Sequence, residues 1–165
     1  MKHEKRRFLF AALAAIIGGC ALHFLYAVLP NPLTALVAPV NESVWEHLKL
    51  LYYPTLLAAY LLSQCTGERR QLWSGFLVAV LTMPVFLVGV YYLLACGFGV
   101  EGLPVDIGLY AVTMAGGFAL AYGLYRKGCA LRVTGVLLML VIFYGAFLVV
   151  FSFAAPQFGI FLPPQ

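Results

Sequence analysis

Trp73 to Cys96, W-S-G-F-L-V-A-V-L-T-M-P-V-F-L-V-G-V-Y-Y-L-L-A-C, is a run of 24 residues without one Asp, Glu, Lys, Arg or His. At 1.5 Å of rise per residue a helix of that length covers about 36 Å, enough to cross the roughly 30 Å hydrocarbon core of a bilayer. Arg69 and Arg70 stand just before it and Trp73 opens it, the basic and aromatic anchors that mark a membrane interface.

Four more apolar runs flank this one, at 8–29, 46–64, 105–125 and 131–153. The whole chain of 165 residues is 64% hydrophobic and 10% charged, with a mean hydropathy of +0.97. That leaves too little polar side chain to coat a soluble globule, so the lipid bilayer is the expected solvent. The reading is an all-α, polytopic integral membrane helix bundle of about five transmembrane helices, with the whole chain, 1–165, forming one domain.

The charges set the expected orientation. Nine of the ten Lys and Arg residues fall in three clusters: Lys2, Lys5, Arg6 and Arg7; Arg69 and Arg70; Arg126, Lys127 and Arg132. The alternate loops, 30–45 and 97–106, contain none. The positive-inside rule then places the N-terminus in the cytoplasm and the C-terminus outside, in the cell membrane. It also explains the formal charge of +4 as topological anchoring, so no nucleic-acid partner is expected. Trp45 sits at the outer end of the second run, as a second aromatic anchor.

Ile17-Gly18-Gly19-Cys20 after a basic start loosely matches a lipoprotein signal with a lipidated Cys20. The chain stays apolar through Leu29 and enters further spans, which favours an ordinary first span. Cys65, Cys96 and Cys129 form no C-x-x-C pair and fall at different expected depths, against disulfides and a cysteine metal site. Small residues at four-residue spacing let helices approach in lipid. The first span carries Ala11, Ala15 and Gly19, leading to His23; the fourth carries Thr113, Gly117 and Ala121, with Gly116 and Gly123 beside them. The first and fourth helices are therefore the expected central packers. Pro54 and Pro84 fall inside the second and third spans, where each frees a backbone carbonyl and predicts a kink.

The connection 30–45 is long for so small a bundle. Pro30-Asn31-Pro32 stiffens its start, residues 33–40 are largely apolar, and Asn41-Glu42-Ser43-Val44-Trp45-Glu46-His47-Leu48-Lys49 follows. The apolar middle suits either an interfacial or a re-entrant course. Ser43 and Glu46 match an S-x-x-E capping box. Glu42 and Glu46 are one helical turn apart, with Lys49 and Tyr53 continuing that face and His47 about 100° away. His23 lies 16 residues beyond Arg7, about 24 Å along a helix, which brings it to the same outer rim. His23, Glu42, Glu46, His47 and Lys49 are the candidate ligand-binding residues, with Asp106, Tyr26, Tyr91 and Tyr92 as possible lining. Ionisable groups inside spans cost free energy, a penalty that fades toward the interface. Glu46 as a cap and Lys49 as a snorkelling side chain are accordingly the structural alternatives, and an interhelical hydrogen bond is the alternative for His23.

The nonapeptide from Asn41 to Lys49, after a first span ending in a histidine-containing apolar turn, resembles an uncharacterised family of small bacterial multi-pass membrane proteins. The resemblance implies the layout of spans and carries no activity or substrate; Glu42, Glu46, His47 and Lys49 are the positions that match.

Three classes of function fit these residues. The first is binding or transport of a small polar solute, ion or proton through an outward-facing His/Glu site. No internal repeat is present, so a complete transporter calls for a homo-oligomer or a partner membrane subunit. The second is a zinc-dependent intramembrane enzyme, with His23, His47 and Glu42 or Glu46 as ligands and the remaining carboxylate as general base. Adjacent Glu46 and His47 diverge on a helix, unlike the H-E-x-x-H pattern, and no nucleophile elbow, phosphate loop or dinucleotide fingerprint occurs. Haem ligation by the two histidines is a weaker variant. The third is a structural or assembly subunit. The tail from Ala154 to Gln165, with Pro156, Pro163 and Pro164, is expected to be a short external segment of no particular role.

Overall fold

A computed structural model describes residues 2–162. Five long helices alternate in direction: α1 (Lys2–Val28), α3 (Val44–Ser63), α4 (Arg69–Tyr92), α5 (Leu103–Lys127) and α6 (Thr134–Phe153). A short helix α2 (Pro32–Val37) lies between α1 and α3, a π turn (Leu93–Phe98) extends α4, and 3-10 turns occur at Leu131–Val133 and Gly159–Phe161. The described residues contain no strand.

Four of the five expected spans, in α1, α4 with its π turn, α5 and α6, are long and apolar enough to cross a membrane. The expected second span is also a helix, α3, and with 20 residues it is long enough. It falls outside that set on composition, because Glu46, His47, Lys49, four prolines and tyrosines and Thr55 dilute its leucines. Large apolar side chains point outward all around the bundle, among them Ile17, Phe24, Val85, Val112 and Phe143, the inverse of a water-soluble surface.

The three basic clusters come together at one end. The Arg7 guanidinium donates to the Cys65 carbonyl at 3.1 Å, Arg70 to the Leu131 carbonyl at 3.2 Å, and Arg126 lies 3.5 Å from Glu4. His23, the connection 30–43 and the start of α3 occupy the opposite end.

α4 lies against α3, α5 and α6, and its longest contact is with α5. The small-residue stripe of α5 makes that contact: Thr113, Gly117 and Ala121 are all buried, whereas Gly116 and Gly123 face open space. A Cβ on Gly75 would come within 2.6 Å of the Ala121 carbonyl oxygen, so here the two backbones nearly touch. α1 turns its own stripe to α3 and α5. The two stripes therefore face inward as expected but do not meet as a central pair; α3 and α4 fill the middle. Both helices run on through Pro54 and Pro84. Proline at 54 leaves the Leu50 carbonyl without its helical donor, and the Tyr110 hydroxyl of α5 approaches that oxygen at 3.5 Å while lying 3.3 Å from the Ile16 carbonyl of α1. A Cβ at Gly19 would collide with this hydroxyl. One proline, one glycine and one tyrosine thus join three helices.

The expected loose tail is docked instead. Phe161 packs its ring 4.9 Å from that of Trp45 and 5.2 Å from that of Phe151, covering the start of α3 with apolar surface; Pro163 and Pro164 lie outside the described residues.

Candidate metal centre at the non-basic end

The connection between α1 and α3 is built as a lid with its own short helix. Asn31 caps α2: its Oδ1 accepts from the Leu33 and Thr34 amides at 2.9 and 3.0 Å, while its own amide donates to Thr34 Oγ1. Pro32 sits at the first helical position, where a missing amide hydrogen costs nothing. Asn-Pro followed by Thr was a readable helix start, masked by the apolar run behind it. Ala35 and Ala38 are buried and Leu33 is exposed, so α2 lies on the bundle end with one face inward, against α1 and α6.

Below this lid sits a buried ion pair. Lys49 is fully buried and Glu46 nearly so. Lys49 Nζ donates to Glu46 Oε2 at 2.7 Å, to the Ala35 carbonyl at 2.7 Å and to the Ala38 carbonyl at 3.1 Å, which uses all three of its hydrogens. Two of these acceptors lie at the C-terminal end of α2, where carbonyls without helical partners carry partial negative charge. Glu46 Oε2 also accepts from the Val40 amide at 2.9 Å, and Oε1 accepts from Ser152 Oγ of α6 at 2.7 Å. Tyr53 adds a 2.8 Å bond to the Leu36 carbonyl. Every donor and acceptor in the cluster is engaged.

Two structural expectations change here. Lys49 does not snorkel; it turns inward because the α2 carbonyls give it a better-satisfied position than the rim. The Ser43–Glu46 capping box is half-formed. Ser43 Oγ accepts from the Glu46 amide at 3.4 Å, but the Ser43 amide donates to Asn41 Oδ1 at 2.9 Å, leaving the Glu46 carboxylate free for Lys49. The shared acidic face also dissolves. With Ser43 as the N-cap, Glu42 precedes the helix and its side chain is not bound to helical periodicity.

Glu42 instead meets the histidines. Its Oε2 lies 3.4 Å from His47 Nε2 and 3.9 Å from His23 Nε2, and the two imidazole rings are 5.1 Å apart. One ligand atom from each of the three residues falls within 4.8 Å of the other two. His47 Nδ1 lies 2.8 Å from the Ser43 carbonyl, an acceptor only, so this nitrogen carries the hydrogen and Nε2 presents a lone pair toward Glu42. His23 Nδ1 is buried without a hydrogen-bond partner. The two histidine side chains are half-buried and Glu42 is mostly exposed, so the cluster opens at the rim. Asp106, in the first turn of α5, lies within electrostatic reach of His47 and of Tyr91, which places it at the same end.

The five candidate residues thus divide. His23, Glu42 and His47 converge with the chemistry of a metal site; Glu46 and Lys49 form a separate, satisfied pair that holds the lid. Ser152 and Tyr53, which complete the second group, went unread in the sequence: Ser152 is 106 residues from Glu46 and carries no local signal. The remaining ionisable side chains of the non-basic end, Glu101 and Asp106, come from the segment between α4 and α5 and from the start of α5. Neither any curated protein nor any solved structure matches the chain. A family model described as "Family of unknown function (DUF6512)" matches residues 1–163, and the chain belongs to that family.

Proposed function

We propose that this protein binds a small polar solute or ion at the non-cytoplasmic rim of the membrane, through His23, Glu42 and His47, as a capture site for uptake or sensing. The observation that carries this reading is the convergence of three ligand-bearing side chains from separate parts of the chain, α1, the connection and α3. The rim in question is the one opposite the three basic clusters, which the positive-inside rule assigns to the cytoplasm. The satisfied Glu46–Lys49 pair supports it further, because a fixed lid keeps Ser43, and through it the His47 ring, in one orientation.

An enzyme reading finds less support. The second carboxylate that a metal-dependent hydrolysis would use as base is, for Glu46, already engaged by Lys49, Val40 and Ser152. The test is thermal unfolding of detergent-purified protein across a panel of small polar solutes and ions, since a ligand that binds only the folded state raises the midpoint. The expected result is a stabilising ligand whose effect disappears in His23→Ala and His47→Ala. A panel without any histidine-dependent shift would overturn the reading.

A further inference from the structure

Three acceptor atoms face one another at this site. With the Nδ1 hydrogen of His47 committed to the Ser43 carbonyl, the Nε2 lone pair points at a carboxylate oxygen 3.4 Å away, and His23 Nε2 approaches the same oxygen from the other side at 3.9 Å. Lone pairs so arranged repel unless a cation lies among them. A proton can bridge one nitrogen to the carboxylate but leaves the other imidazole unmatched; a divalent ion satisfies all three at once.

We propose, resting on the capture-site reading above, that the ligand is a divalent transition-metal ion of the zinc class, held by His23 Nε2, His47 Nε2 and Glu42, with its remaining coordination open toward the rim. Imidazole nitrogen and carboxylate oxygen suit zinc and its neighbours, whereas magnesium and calcium require all-oxygen sets. Bond lengths of about 2.0–2.2 Å to a tetrahedral ion put ligand atoms roughly 3.4 Å apart, so the separations seen here must close by about 1 Å or less. Glu42 makes that closure inexpensive, because it lies before the helix with 71% of its side chain exposed. His47 is already oriented by its bond to the Ser43 carbonyl, the outer-shell arrangement that fixes the tautomer of ligating histidines. Three protein ligands and an open position describe a site that exchanges its ion, unlike a closed four-ligand structural centre.

Ligation needs neutral imidazoles, so acidification should weaken binding. The charged or titratable groups facing the two rings are Glu42 from the connection and Asp106 from α5.

The experiment uses the full chain, purified without a polyhistidine tag, stripped with chelator and dialysed against Zn2+, with Co2+ as a spectroscopic probe. The expected result is one equivalent of Zn2+ per chain, lost in His23→Ala and in His47→Ala, weakened by about tenfold or more in Glu42→Gln, and unchanged in His3→Ala at the basic end. Co2+ should give a ligand-field spectrum that Zn2+ abolishes and that Mg2+ and Ca2+ leave intact. Equal metal content in wild type and the His23 and His47 variants overturns the proposal, as does displacement by Ca2+. Apo-state melting curves of the variants separate lost ligation from lost folding. If no metal binds but a histidine-dependent solute shift remains, the metal assignment fails and the capture site stands; if neither is seen, both fail.

Discussion

The Glu46–Lys49 pair is the most consequential contact between single residues outside the histidine cluster. Taking two charges out of water is costly and is repaid only where every polar atom finds a partner, a condition met here by Ala35, Ala38, Val40 and Ser152. Lys49→Met or Glu46→Gln alone should therefore lower stability by about 3–5 kcal/mol, because each strands a buried partner. The double substitution should recover most of that loss, as read from thermal unfolding in detergent. Ser152→Ala removes one hydrogen bond to a charged group and should cost about 1.5–3 kcal/mol. Sequence spacing pointed to His23, Glu42 and His47 at one rim and to Glu46 and Lys49 near them. It could not separate the two groups, since that depends on the helix starting after Glu42 and on a serine from the last span.

At the level of elements, close approach decides which helices pair. Gly75→Ala puts a methyl group against the Ala121 carbonyl oxygen, backbone that cannot yield without moving α4 from α5. It should destabilise by about 1–3 kcal/mol. Gly116→Ala, on the same interface's outer flank with open space around it, should instead be neutral or stabilising by up to about 1 kcal/mol, since alanine is the better helix former. Melting temperatures of the two variants side by side check both signs. The stripes of small residues were legible because four-residue spacing maps directly onto one helical face. Their partners were not, because the glycines show only which face is thin, and α4 matches α5 through Gly75 and Met83, which no stripe in α4 announces. The helix α2 was hidden for a different reason: its capping signal was present, but six residues are too few for a periodic pattern.

For the molecule as a whole, five antiparallel helices with all basic clusters at one end imply opposite faces for Cys96 and the pair Cys65 and Cys129, all exposed. An impermeant maleimide added to intact cells should label a variant retaining only Cys96 and spare those retaining only Cys65 or Cys129; the reverse pattern would invert the assigned orientation. Layout of this kind is legible from composition alone, because hydrocarbon thickness and charge asymmetry act on long segments. The docking of Phe161 on Trp45 is not, since it depends on where the last helix ends. That last helix also governs how the chain can be made. α3 emerges early carrying a carboxylate and an ammonium, yet the serine that completes their shell is synthesised about a hundred residues later. As a solitary segment it would enter hydrocarbon only at the steep cost of a charged side chain in lipid. Biogenesis should thus hold α3 at the insertion machinery until α4 to α6 follow, and ribosome-bound chains truncated before Thr134 should leave it extractable by alkali.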